Sequence, residues 1–142
     1  MRKRVLNVIL VFLFFMCNIC AGNAANENDV WDDLINTIAH VESRHNTKAV
    51  SSCGTYVGFL QISKTVVDEC NRIIRKRKYT YKHRYNKESS VEMFYIIQRY
   101  YNPENNIEKA IRIWNGGPNF SKRKTERYYN EVIKVYNVIA AP

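Results

Sequence analysis

The chain has 142 residues, the size of one domain, with 22 Lys or Arg against 13 Asp or Glu and a formal net charge of +9. Hydrophobic residues at 46% and charged residues at 25% exclude a disordered chain and describe a globular one. The positive excess is silent about fold but points to an anionic partner: nucleic acid, a membrane surface or an acidic polymer.

Met1-Arg2-Lys3-Arg4 is a basic start, Val5 to Phe15 is apolar apart from Asn7, and small residues follow at Ala21, Gly22, Ala24 and Ala25. This is the layout of a secretory signal peptide, with Gly22 and Ala24 filling the small-residue positions before a cut after Ala24. Residues 1–24 are expected to be the signal and residues 25–142 the mature domain. An uncleaved anchor is the alternative, because the run is nearly long enough to span a bilayer. Ile19 is a poor residue before a lipidated Cys20. Losing Arg2, Lys3 and Arg4, and no acid, takes the charge from +9 to +6. Export argues against nucleic acid and leaves the anionic cell wall as the polymer a protein so delivered would meet.

The rest reads as mainly α: one compact helical domain with a small loop or hairpin region after the first helix. Asn28-Asp29 caps a helix to about Arg44. A Ser- and Gly-containing loop spans Asn46 to Gln61, where Gly54 to Ile62 has room for a short strand or hairpin. Ser63 caps a second helix to Arg75. A basic, Tyr-rich connection leads to a third, Glu88 to Tyr101, ended by Asn102-Pro103. A fourth runs from Asn105 to Trp114 and stops at Gly116-Gly117-Pro118. The last covers Lys124 to Val138.

The first helix carries an anomaly. At 100° per residue, Trp31, Leu34, Ile35, Ile38 and Val41 share one stripe, while Asp32, Asp33, Asn36, His40, Ser43 and Arg44 face away. Glu42 returns to about 20° from Trp31, which makes it the one carboxylate on the apolar stripe. It also sits in the last turn, where the helix dipole opposes negative charge. Desolvation and dipole both push its pKa up, as a general acid requires. The plain alternative is a Glu that reaches solvent or pairs with Arg44.

Cys53 and Cys70 lie in the mature part. An oxidising compartment allows a bridge; two separate thiols, one in a loop and one inside a helix, are the other possibility. Arg72, Arg75, Lys76, Arg77, Lys78, Lys82 and Arg84 are interleaved with Tyr79, Tyr81 and Tyr85. That pattern suits nucleic acid or a solvated loop that attracts anionic wall, and export favours the loop. His40, His45 and His83 lack metal-ligand spacing, no phosphate loop or serine elbow is present, and no cofactor is called for.

Several short blocks, in order, resemble the lytic transglycosylases of the soluble type, which share the lysozyme-like fold. They are Ile38-Ala39-His40-Val41-Glu42-Ser43, Asn46, Ala49-Val50-Ser51 and Gly58-Phe59-Leu60-Gln61. Trp114-Asn115-Gly116-Gly117-Pro118 and the trio Thr125, Tyr128 and Val132 follow. The resemblance covers about residues 30 to 136. Trp114 stands where the family usually has Tyr, Ser90 where a helix-starting Asn is common, and Lys124 where an acid is usual.

The resemblance implies a lysozyme-like domain cleaving the β-1,4 bond of peptidoglycan glycan strands with Glu42 as acid. The substrate's acetamido group and 6-hydroxyl would replace a protein nucleophile, and Glu42, once ionised, would take the hydroxyl proton. A 1,6-anhydromuramoyl end results, since intramolecular attack has a high effective molarity. It also implies that Ser51 and Gln61 hydrogen-bond near the scissile sugar or orient Glu42, that Gly58 lets the backbone approach the glycan, and that Asn115 braces the cleft. Trp114 is a sugar platform or core. A hydrolytic muramidase would instead need a second carboxylate, with Asp68, Glu69, Glu88 and Glu92 as candidates. A catalytically silent wall-binding protein is the third possibility. An exported monomer, periplasmic or extracellular, without stable membrane insertion after cleavage of the signal, accompanies the first reading.

Overall fold

The helices form where apolar spacing and capping side chains coincide. The computed structural model describes residues 26–139, so the expected signal peptide lies outside the described residues. The ordered elements are α1 (Asn26–Ser43), α2 (Lys64–Ile73), a 3-10 turn (Tyr81–Tyr85), α3 (Lys87–Tyr101), α4 (Ile107–Gly116) and α5 (Lys122–Ile139). Residues from Asp33 onward form one compact unit. Class and element order are those expected from the sequence. Among the described residues no helix is long and apolar enough to cross a membrane.

Capping explains three starts. Ser63 accepts from the Val66 N–H at 3.3 Å, Asn86 from Ser89 at 2.7 Å and Asn106 from Lys109 at 2.8 Å, each satisfying an orphan donor of the first turn. The Asn opening α3 is therefore Asn86, not a residue at 90. Ser90 lies inside the helix, buried, and donates to the Asn86 carbonyl at 2.8 Å.

The ends differ from expectation by a turn or less. α2 stops at Ile73 rather than Arg75, because Arg75 adopts a left-handed φ of 52°. α4 runs on to Gly116, two residues past Trp114, and is closed by Gly117 at φ 75°. α1 closes at Ser43, where Arg44 and His45 turn left-handed at φ 52° and 64°.

Leu34, Ile35 and Ile38 of α1 are buried, as are Met93, Phe94 and Ile97 of α3 and Ala110, Ile111 and Ile113 of α4. Their match to the α1 stripe and the third and fourth apolar runs follows from helical periodicity. The loop before α2 belongs to the same core. Val57, Phe59, Leu60 and Ile62 are at most 2% exposed, which is unusual for a connecting segment. No extended strand forms there; Val57 makes isolated antiparallel bridges to Val50 and Ile62. The expected hairpin is thus a knot of tight turns.

Two buried arginines hold these pieces. Arg84 donates to the carbonyls of Tyr81, Thr55 and Ile62 at 3.0–3.3 Å, fastening the 3-10 turn to the buried loop. Arg112 of α4 bonds Glu108 (2.8 Å), Glu126 (2.9 Å), the Lys122 carbonyl (3.0 Å) and the Thr125 hydroxyl (3.0 Å), fixing α5 against α4.

Candidate active site

The end of α1 delivers Glu42 to a cleft of about 220 Å³ lined also by Tyr56, Gln61, Val66, Trp114 and Asn115. Five separate stretches of chain converge there: the end of α1, the turn at 56, the buried loop, α2 and the end of α4. The Ser43 hydroxyl donates to the Phe59 carbonyl at 2.8 Å, tying the residue after Glu42 to the buried loop. Glu42 and Gln61 are thereby held in one framework. A second cavity of about 310 Å³ shares Tyr56, Ser63, Val66, Trp114 and Asn115 with the first, so the two make one continuous groove.

Glu42 is largely buried, and its partner is Tyr128 of α5, whose hydroxyl donates to Oε1 at 2.7 Å. Burial lifts the carboxyl from its ordinary 4.5 to about 7; the Tyr128 bond opposes that rise and the nearby charge of Glu131 adds to it. Arg44 has a left-handed backbone at φ 52°, and among the described residues no ion pair includes Glu42. The group is therefore near half-protonated at neutral pH, poised to give or take a proton.

The other site candidates fall into two sets. Gln61, Trp114 and Asn115 lie on the cleft. Gln61 adopts a left-handed φ of 50°, and its amide donates to the Gly58 carbonyl at 3.0 Å and the Ala49 carbonyl at 3.4 Å, bracing the loop that carries it. Trp114 serves core and cleft together. Its ring packs on Phe94 with centroids 5.0 Å apart, and its indole N–H donates to the Leu60 carbonyl at 3.2 Å.

Ser51 and Gly58 are not on the cleft wall. The Ser51 hydroxyl accepts from the Tyr56 N–H at 3.1 Å and lies 3.4 Å from Cys53 Sγ, which makes it a turn residue. Gly58, at φ 82°, passes so close to the 3-10 turn that a Cβ would sit 1.8 Å from the Arg84 carbonyl oxygen. Its lack of a side chain serves protein packing there, a role the sequence did not suggest.

Two residues, one on the cleft and one bonded to Glu42, escaped sequence reasoning. Tyr56 is 48% exposed and lines both cavities. Tyr128 stood only as a match in the last helix; the signal was an aromatic hydroxyl on a buried face, which needs a partner.

None of the four carboxylates considered as a second catalytic group lines the cleft with Glu42. Glu69 lines the neighbouring cavity, where bonds from Arg72 and Tyr101 hold its carboxyl down at about 2. Asp68 accepts from the Tyr81 hydroxyl, Glu92 from Lys78 and Tyr79, and Glu88 from the Asn86 amide. Cys53 and Cys70 are free thiols, the first exposed and the second buried in α2. Among the described residues no group of His, Cys, Asp or Glu is arranged to hold a metal.

A carboxyl raised toward neutrality thus stands at the end of α1, on a groove lined by Tyr56, Gln61, Trp114 and Asn115. The family model of the transglycosylase SLT domain matches residues 19–137, and the chain belongs to that family. Membership ties it to peptidoglycan lytic transglycosylase activity in general. Comparison with curated proteins and with solved structures finds no match.

Proposed function

We propose that the chain is an exported enzyme that cleaves the β-1,4 bond between N-acetylmuramic acid and N-acetylglucosamine, leaving 1,6-anhydromuramoyl ends. The observation that carries the reading is Glu42: a carboxyl near pKa 7 on a groove wall, with its Oε1 occupied by Tyr128. Oε2 is left to carry the transferable proton. Protonated Glu42 donates to the leaving glycosidic oxygen as an oxocarbenium-like centre develops. The resulting carboxylate, stabilised by the Tyr128 hydroxyl, then takes the proton of the sugar's 6-hydroxyl as that oxygen closes on C1. One group near neutrality performs both transfers, which suits a cleft whose lining holds no carboxylate besides Glu42.

Gln61 and Asn115 are assigned to substrate hydrogen bonding and Tyr56 and Trp114 to contact with sugar faces. No cofactor takes part. Residues 1–24 act as the signal, and the mature enzyme works as a monomer in the periplasm or outside the cell.

Mass spectrometry of digested peptidoglycan tests the reaction. Anhydro ends support it, reducing ends would replace it with a hydrolytic muramidase, and no cleavage would leave a wall-binding protein.

A further inference from the structure

Nine Lys or Arg and two acids fall between residues 64 and 87, against 13 and 11 in the rest of the chain. The structure separates these cations by task. Arg72 is bonded to Glu69, Lys78 to Glu92, and Arg84 is buried against three carbonyls. Arg75, Lys76, Arg77 and Lys82 are exposed, and among the described residues none of the four is in an ion pair.

They stand on a rigid support. The Asn71 side chain brackets the backbone of Tyr79 in both directions, donating to its carbonyl at 2.8 Å and accepting from its N–H at 2.9 Å. The Tyr79 ring is buried, and its hydroxyl donates to Glu92 at 2.8 Å. The loop backbone at Tyr79 is thus pinned to both α2 and α3.

The location is separate from the groove. Val66 and Glu69 of α2 line the groove, whereas Asp68 and Asn71 line a small cavity of about 120 Å³ with Arg77, Thr80 and Tyr81. On a helix these two pairs lie on opposite sides. Tyr81 is 44% exposed there, anchored through its hydroxyl to Asp68 and with Lys64 Nζ 5.2 Å from its ring centre.

We propose that this back face of α2, together with the segment after it that carries Arg75, Lys76, Arg77 and Lys82, is a docking site for the carboxylates of peptide-bearing peptidoglycan, distinct from the cleft that cuts the strand. The inference rests on the proposed function for its choice of polymer. A polymer with carboxylates along its length meets these exposed cations, and the attraction holds the enzyme on its insoluble substrate between cuts. Exposed cations act over roughly 8–10 Å at physiological ionic strength, so the contribution falls as salt rises.

The test uses the full chain carrying Glu42→Gln, so that binding is read without cleavage and independently of the reaction. Arg75, Lys76, Arg77 and Lys82 are replaced together by Gln, and unchanged thermal melting checks folding. Pelleting with insoluble peptidoglycan at low salt should fall about tenfold or more. Converting the wall carboxylates to neutral amides should weaken binding of the unsubstituted back face to a similar degree. In the active background, turnover of a short peptide-free glycan should stay within about twofold. Undiminished pelleting of the quadruple variant, or undiminished binding to amidated wall, overturns the proposal. Equal loss on wall and short glycan places the loop in the cleft and overturns it too. Tighter, salt-sensitive retention on double-stranded DNA than on wall, lost with the same substitutions, makes the partner nucleic acid and rejects the carboxylate assignment.

Discussion

The proposed reaction sets Glu42 two opposed demands: to be protonated to give a proton and ionised to take one. Burial raises its carboxyl and Tyr128 lowers it, leaving it near 7. Replacing Glu42 with Gln keeps the shape and the hydrogen bond from Tyr128 but removes the proton, so lytic activity should fall by about 10²–10⁴-fold in a zymogram. Tyr128→Phe should act differently. The hydroxyl favours the ionised carboxylate, so its loss raises the Glu42 pKa, and the alkaline limb of the pH–rate profile should move to higher pH. A limb that stays in place would mean that the Tyr128 bond does not tune the acid. The cysteines provide a further check at this scale. Ser51 and Thr55 draw the exposed Cys53 thiol down to about 7, and burial pushes Cys70 up to about 12. Iodoacetamide on the native protein near neutral pH should therefore label Cys53 and spare Cys70 in a peptide map.

At the scale of elements, much was legible because helices announce themselves by period and cap. The α1 stripe placed Glu42 on the buried face before any coordinate was known. Ser63 marked the start of α2, and Asn102-Pro103 the end of α3. The loop between α1 and α2 was not legible, because its order comes from contacts distant in sequence. Arg84 reaches back to Thr55 and Ile62, and its carbonyl passes close by position 58 only because Gly58 has no side chain. No local pattern distinguishes such a glycine from one that clears space for a ligand. Gly58→Ala combines that overlap with a left-handed backbone, and should cost more than about 2 kcal/mol by chemical denaturation. The same ambiguity hid Tyr56, which reads as an ordinary loop tyrosine until the turn through Ser51 brings it to the groove. Tyr128 was hidden differently: 86 residues separate it from its carboxylate partner.

Across the whole molecule, the groove depends on how α4 and α5 are set against the rest. Arg112 joins them, two residues before Trp114 on one helix and through Thr125 and Glu126, one turn or less before Tyr128, on the other. Replacing it with Ala leaves the Lys122 carbonyl and the Thr125 hydroxyl without its bonds, releases Glu126 and leaves Glu108 with Lys122 alone. A loss of about 2–4 kcal/mol is expected. Activity should fall further than the folded fraction does, since Tyr128 and Trp114 lose their common reference. Stability should also carry the mark of Glu42. Its carboxyl is easier to protonate in the folded chain than in the unfolded one, so the folded state binds more protons between pH 4.5 and about 7. Stability therefore falls as pH rises through that window, by roughly 3 kcal/mol, with the full loss present above it. Glu42→Gln should melt higher than the wild type at pH 8 and nearly level with it at pH 4.5.

Under the proposed reaction, the buried acid sets folding and catalysis at odds at a single position. A library of this chain displayed and sorted only for resistance to heat or protease at pH 8 should drift away from Glu at position 42, toward Gln or an apolar residue that suits the stripe. The survivors would be sturdier and silent. Sequences recovered from such a sort would point to the acid by the speed with which it disappears.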